Sequence, residues 1–369
     1  PLLAATSCCI ATSREAKKLG VRTGPGVAEA KRICPGIQIV VSEPEKYVNY
    51  HFAIVETVES FIPVAATHSI DEMSCRLTGP QREVAEATRL AHAIKAALRE
   101  KVGAVLTCSI GLAPTRLLAK TACDMQKPDG LTVIRGCDLP EALYTLVPED
   151  IPGIGSRMKR RLEARGITTM PQLWALTEDE MKRIWGGVTG RRMWHWLHGH
   201  DIPDVPTHES SLGHSHVLSP DLRTQAGAYA VLQKLLHRAA GRLRRQRMWA
   251  TGMMVLVKSF NDQNWEAKTT FIECQDTLTL LQTLRGLWAQ HPATTNRPLM
   301  VGVTLLGLVP DELHNLSLFD EPKRRALSHA IDRLNARFGR ETVYFGGIHA
   351  IKAAAPTRIP FQTIPDFGG

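Results

Sequence analysis

The succession of strand-like and helix-like segments predicts an α+β chain of several domains, with two layered strand-and-helix units separated by an all-helical stretch. Three observations carry this. At 369 residues the chain exceeds one ordinary domain and suggests two to four. Hydrophobic residues make up 44% and charged residues 22%, which suits packed cores and excludes a disordered or fibrous chain. Strand–helix–strand patterns occur twice, at residues 65–134 and 212–307, with Gly-punctuated helices between them.

The elements follow in order. Ala65 to Leu77 reads as an extended hairpin. Residues 81–101 read as a helix, with Val84, Ala87, Leu90, Ala91, Ile94 and Leu98 near the helical period. Val105–Ile110 follows as a strand, Gly111 and Pro114 turn the chain, and a helix runs from about 115 to 125. Pro128-Asp129-Gly130 breaks that helix before a strand at Leu131–Ile134. The pattern is β–α–β–α–β, a ferredoxin-like layer short of its first strand. Residues 150–200 are helical with short Gly turns, and Asp201 to Thr207, with Pro203 and Pro206, reads as a linker. Then come a strand at 212–218, a helix at 222–247, strands at 250–259 and 265–273, a helix at 276–290 and a strand at 299–307. That is βαββαβ, a second ferredoxin-like unit. A tail from 310 holds a short apolar insert, an amphipathic helix near 322–338 and a Pro-rich end.

Composition narrows function. No run of about eighteen apolar residues exists, so no membrane-spanning helix is expected. Pro1-Leu2-Leu3-Ala4-Ala5 has neither a charged leader nor an initiating Met, and reads as the edge of a trimmed sequence rather than a signal peptide. The eight Cys form no CxxC pair, which argues against structural zinc and for reduced thiols. The net charge is +9, unevenly spread. Residues 151–200 hold nine Lys/Arg against four acids, and 234–247 add Lys234, Arg238, Arg242, Arg244, Arg245 and Arg247 with no acid. Residues 51–100 are net −2, from five basic and seven acidic. Two readings stand on charge alone: solvated helix faces, or a polyanion gripped by some segments with metal or catalysis in another.

Two motifs carry sharper chemistry. Ser69-Ile70-Asp71-Glu72-Met73 sets adjacent carboxylates at the top of the hairpin, where both can approach one hard divalent cation or stand as an exposed turn pair. The second string runs Cys108-Ser109-Ile110-Gly111-Leu112-Ala113-Pro114-Thr115-Arg116-Leu117-Leu118-Ala119-Lys120-Thr121-Ala122-Cys123-Asp124-Met125-Gln126-Lys127-Pro128-Asp129-Gly130. It resembles the strand–helix of the Y-family translesion DNA polymerases, with Thr115 where Asn is common, and Ser69–Glu72 resembles that family's S-[IL]-D-E hairpin. Ile10 to Val21 is similar to the family's fingers segment. Ile151-Pro152-Gly153-Ile154-Gly155, followed by Arg157, resembles its helix-hairpin-helix thumb. Independently of family, a Gly-x-Gly turn opening a basic helix offers backbone N–H groups to phosphate.

The resemblance covers about residues 1–310 and implies a right-hand polymerase: fingers at 1–43, palm at 44–137, thumb at 138–202, linker at 203–209, little finger at 210–309 and a tail at 310–369. It implies two-metal nucleotidyl transfer with two Mg2+ ions, Asp71 and Glu72 as metal-binding catalytic carboxylates, and Lys127 on the triphosphate. Lys120 ranks second for that role, beside its reading as a helix-surface lysine. Arg14 and Lys17 stand where the family usually places Tyr and Arg over the triphosphate, so both keep a donor there. Gly153, Gly155, Arg157, Arg244 and Arg245 are implied DNA contacts. Asn315-Leu316-Ser317-Leu318-Phe319 resembles the bacterial sliding-clamp peptide, with Asn for Gln, so Asn315, Leu316, Leu318 and Phe319 are implied clamp contacts. Trp185, Trp194 and Trp196 are expected in the thumb core rather than as a base-stacking platform.

The implied partners are primer–template DNA, a deoxynucleoside triphosphate and the clamp, for a monomer in the cytoplasm, at the nucleoid. The family opens with a strand bearing a further metal-binding Asp and an aromatic gate against ribonucleotides. This chain starts after that segment, and a trimmed sequence is expected. The alternatives are a catalytically silent paralogue acting as an adaptor between clamp and polymerases, and a plain helix-hairpin-helix DNA-binding module, which leaves Ser69–Glu72 and Ala113–Gly130 unaccounted for.

Overall fold

The computed structural model describes residues 2–5, 8–24, 26–203, 210–260, 264–292, 297–314, 322–339 and 341–351. The chain divides into two compact units, Pro44–Pro206 and a second that joins Pro1–Glu43 to Thr207–Arg358.

At the start, β1 (Leu2–Ala5) pairs antiparallel with β2 (Cys8–Thr12) and parallel with β3 (Ile39–Val41). Between β2 and β3 lie α1 (Arg14–Lys18) and α2 (Val27–Ile33). Ser13 caps α1, its hydroxyl accepting from the Ala16 N–H at 3.3 Å. The core here is small, built on Cys9, Ala16, Val21 and Ala30.

In the unit Pro44–Pro206, α3 (Pro44–Glu59) leads to a hairpin of β4 (Val64–Thr67) and β5 (Met73–Cys75). Next come α4 (Val84–Lys101), β6 (Ile110–Leu112), α5 (Arg116–Met125) and β7 (Leu131–Val133), with β6 and β7 parallel. Val58, Ile62, Leu90, Ile94 and Leu98 pack against Val64, Met73 and Cys75 of the hairpin and Ile110 of β6. One apolar layer therefore floors both ladders, at about 1.5–3 kcal/mol per fully buried large side chain. The expected β–α–β–α–β sheet is here two separate pairs among the described residues. The strand expected at 105–110 is displaced to Ile110–Leu112, the residues in register with Leu131–Val133, while Val105 is 92% exposed. An apolar run alone does not distinguish a paired strand from an extended lead-in.

The helical stretch holds α6 (Ser156–Glu163), α7 (Met170–Trp174), α8 (Glu178–Trp185) and α9 (Val188–Leu197). Ile151, Ile154, Leu162, Leu173, Met181 and Leu197 share a core with Leu118 and Ala122 of α5, which ties these helices to the β6–β7 ladder. A Cβ at Gly190 would sit 2.2 Å from the Met181 carbonyl oxygen, so the α8–α9 crossing requires glycine there. Trp185 and Trp194 pack on this core, and the Trp194 indole N–H donates to the Leu176 carbonyl at 2.8 Å.

In the second unit, β8 (Ser211–Val217), α10 (Gln225–Arg245), β9 (Met248–Ser259), β10 (Trp265–Cys274), α11 (Thr277–Trp288) and β11 (Pro298–Leu306) follow the expected βαββαβ order closely. The sheet order is β10-β9-β11-β8, all antiparallel, with β12 (Val309–Pro310) added to β9. Leu232, Leu236, Leu243, Val255, Leu284 and Val303 fill the core between sheet and helices. The opposite face carries Ser211, Gly213 and Ser215 on β8 and Glu266, Lys268 and Thr270 on β10, all exposed, as a one-sided antiparallel sheet requires. Finally α12 (Pro322–Phe338) packs on α11.

Candidate functional site

The turn joining β4 to β5 is shaped by its own hydrogen bonds. The His68 and Ser69 N–H groups both donate to the Glu72 carbonyl, at 2.8 and 3.2 Å. The Ser69 hydroxyl donates to Asp71 Oδ1 at 2.6 Å and accepts from the Asp71 N–H at 3.3 Å. Buried His51 on α3 places Nδ1 2.8 Å from the Ile70 carbonyl, so that nitrogen carries the proton. The turn is thus anchored from below while Asp71 stays exposed and Glu72 half-buried.

Helix α5 meets this turn. The Lys120 ammonium is ion-paired to Glu72 Oε1 and lies 3.5 Å from Asp124 Oδ2, one helical turn on. The Lys127 ammonium lies 2.6 Å from Asp124 Oδ1. Glu72, Lys120, Asp124 and Lys127 therefore form one alternating string of charge. Burial by itself would lower the Lys120 pKa, but its bond to Glu72 and the nearby Asp124 charge outweigh that, and the net shift is upward. Lys120 is a cation at every physiological pH. The sequence suggests Lys120 as a second triphosphate donor or a helix-surface lysine; in the structure it is engaged by two carboxylates. Its i,i+4 spacing to Asp124 was the legible part of that signal.

The Lys127–Gly130 turn is pinned from α4. Lys95, 8% exposed, donates to the Asp129 carbonyl at 2.5 Å and the Gly130 carbonyl at 3.2 Å, and pairs with Asp129 Oδ1 at 3.1 Å. Arg99 pairs with the other Asp129 oxygen. A Cβ at Gly130 would fall 1.8 Å from the Gln126 carbonyl oxygen, so only glycine permits this turn. Sequence reasoning missed Lys95 and Arg99, whose partner lies 34 and 30 residues away.

Two carboxylates on an accessible turn fit a hard divalent ion that keeps water or phosphate oxygens for its remaining ligands. No group of three His, Cys, Asp or Glu able to hold a metal is present among the described residues.

The remaining predicted residues fall into three situations. Gly153, in a left-handed conformation at φ 95°, and Gly155 open α6 with no side-chain cap, and Arg157 is exposed beside them. Gly186 and Gly187, at φ 84° and 134°, open α9 in the same way, a second turn the sequence reading passed over. Arg14 and Lys17 are exposed three residues apart on α1, in the other compact unit. Arg244 is a correction. It is buried, donating to Asp332 at 2.6 and 2.8 Å, to the Gln275 carbonyl at 2.7 Å and to Thr277 Oγ1 at 3.1 Å, so it anchors α12 and does not face a ligand. Lys234 and Arg238 pair with Glu341, while Arg245 and Arg247 are exposed. The basic block at 234–247 is thus partly internal scaffolding. Asn315, Leu316, Leu318 and Phe319 lie outside the described residues. No helix among the described residues is long and apolar enough to cross a membrane.

Three family models match segments of the chain. The model of the impB/mucB/samB family matches residues 2–124, that of the family's C-terminal domain matches 209–318, and that of the DNA polymerase-iota thumb domain matches 149–201. DNA polymerase IV of Moorella thermoacetica is 32% identical over 344 residues, covering 91% of this chain and 85% of that one. DNA polymerase IV 1 of Bacillus subtilis is 27% identical over 347 residues, covering 91% and 83%. Among solved structures, a Y-family DNA polymerase chimera of Dbh and Dpo4 superposes with a TM-score of 0.69 at 23% identity, covering 84% of this chain and 92% of that one.

Proposed function

The chain belongs to the impB/mucB/samB family, the bacterial Y-family polymerases of DinB type, and we propose that it extends primer–template DNA past damaged template bases by nucleotidyl transfer. The observation that carries the placement of the chemistry is the meeting of the Asp71–Glu72 turn with the Lys120–Asp124–Lys127 face of α5. Carboxylates for cations and an ammonium for a triphosphate stand side by side, the hairpin held by the α3–α4 core and α5 by the core it shares with the helical stretch.

In this reading Asp71 and Glu72 hold divalent ions, two Mg2+ by family pattern, whose chemistry is to acidify the primer 3′-hydroxyl and neutralise the triphosphate. Lys127 places a point charge against the triphosphate, from a turn that Lys95 and Arg99 keep rigid. Arg14 and Lys17, exposed on α1, are assigned to phosphate recognition from the family resemblance of their segment alone. The uncapped N–H groups after Gly153 and Gly155, together with Arg157, grip a DNA backbone phosphate, and Arg245 adds charge from the second unit. Primer extension by the natural full-length protein, on templates with and without an abasic site, tests the function. DNA binding without extension on either template would leave only the adaptor role, which the polymerase relatives above do not favour.

Lys127→Ala is expected to raise the nucleotide KM about tenfold, the size of one charge-assisted hydrogen bond, with DNA affinity within about twofold. Unchanged nucleotide dependence with weaker DNA binding would move Lys127 to the DNA backbone.

Asn315–Phe319 is assigned the sliding-clamp contact from its sequence. Burying one Leu and one Phe contributes roughly 1.5–3 kcal/mol each, and the peptide's polar contacts must supply the rest of the roughly 8 kcal/mol that affinity of about micromolar requires, beyond ordering costs. A 310–322 peptide should bind a bacterial clamp by calorimetry, and Leu318→Ala with Phe319→Ala should abolish it. Equal binding by both peptides would remove the assignment.

A further inference from the structure

The Lys120 ammonium rests on the carboxylate that the reading above gives to a divalent ion. An ammonium and a hard dication seek the same oxygens, and each repels the other, so an ion held by Glu72 is bound less tightly while Lys120 stays on that carboxylate. We propose that Lys120 is an internal competitor for the ion site, and that Asp124 is the alternative partner which receives Lys120 when an ion occupies Glu72. The inference rests on the assignment of Glu72 as a metal carboxylate.

Three features support it. Lys120 already faces both carboxylates, with Asp124 Oδ2 at 3.5 Å, so a small side-chain swing completes the transfer. Lys127 uses the other Asp124 oxygen, Oδ1, which leaves Oδ2 open to Lys120 without displacing Lys127. Lys120 and Asp124 are one helical turn apart on α5, so the acceptor travels with the donor whatever the hairpin does. Lys120 is a positioning residue here: it tunes how readily Glu72 takes an ion and keeps the adjacent Asp71 and Glu72 charges balanced by a protein cation. Asp124 sets how far that balance tips.

The test is Mn2+ titration followed by electron paramagnetic resonance, on the natural full-length protein with primer–template DNA and no nucleotide, so that no turnover contributes. Lys120→Met should tighten Mn2+ binding about three- to fivefold, the scale set by loss of a half-exposed ion pair. Lys120→Arg keeps the cation and should restore near-wild-type affinity. Asp124→Asn removes the alternative partner and should weaken Mn2+ binding by a similar factor. Unchanged or weaker binding in Lys120→Met would overturn the proposal, because a residue that only braces the hairpin cannot tighten the site when removed. Glu72→Gln separates the two levels. If it leaves Mn2+ binding intact, the metal assignment of Glu72 itself fails and the competitor role goes with it. If it weakens binding while Lys120→Met does not tighten it, the competitor role alone fails.

Discussion

Primer extension by Asp71→Ala or Glu72→Ala is expected to fall by about three orders of magnitude or more, with affinity for primer–template DNA within about twofold of wild type. Rate losses of this size follow when a group acts on the chemical step, since each 1.36 kcal/mol of lost transition-state stabilisation is about tenfold. The structure indicates why the fold should survive. Asp71 is exposed, and its truncation removes one bond from the Ser69 hydroxyl, while the backbone bonds from His68 and Ser69 to the Glu72 carbonyl remain. Glu72→Ala removes one partner of Lys120 but leaves it Asp124. Thermal melting should therefore shift by no more than a few degrees in either variant. Extension near the wild-type rate by either one would sink the catalytic assignment, and lost DNA binding would show that the hairpin grips rather than reacts.

The second compact unit was legible in the sequence almost element by element. Its strands alternate between core and solvent residues, as in Glu266, Lys268 and Thr270 against Ala267 and Phe271, and Gly, Pro or Asp punctuates the breaks between elements. The first layered unit was harder. Its strands are three or four residues long, below what alternation can register, so the segment at 105–110 was read as paired when only Ile110–Leu112 is. The site was half legible. Local strings singled out Asp71, Glu72 and Lys127 through their resemblance to the family's motifs, and these residues lie on a turn and just past a helix end. The pairing of Glu72 with Lys120 spans 48 residues, and that of Arg244 with Asp332 spans 88. Tertiary packing alone decides such pairs, and no spacing rule reaches them.

Arg244 and Arg245 show how much that distinction matters, because neighbours on one helix should respond in opposite ways. Successive helical residues point about 100° apart. Arg244 lies on the face of Ala240 and Gly241, small residues that let Asp332 of α12 approach; a Cβ at Gly241 would sit 3.8 Å from Asp332 Oδ1. Arg244→Ala would strand that carboxylate, the Gln275 carbonyl and the Thr277 hydroxyl at once. Breaking one side of such a pair costs about 3 kcal/mol, at the low end because Asp332 keeps some solvent contact. For a unit of this size, that corresponds to a melting shift of about 6–12 °C in calorimetry. Arg245 is exposed, so Arg245→Glu should lower melting by less than Arg244→Ala does. It should instead flatten the dependence of log K on log salt for DNA binding by about one to two, since each neutralised phosphate contributes close to one. Arg244→Ala measured below its melting point should keep most of the wild-type slope, having removed scaffolding rather than a phosphate contact. A stable Arg244→Ala protein with a flattened slope would put Arg244 back on the DNA, and an unchanged slope in Arg245→Glu would leave the exposed end of α10 without a part in gripping it.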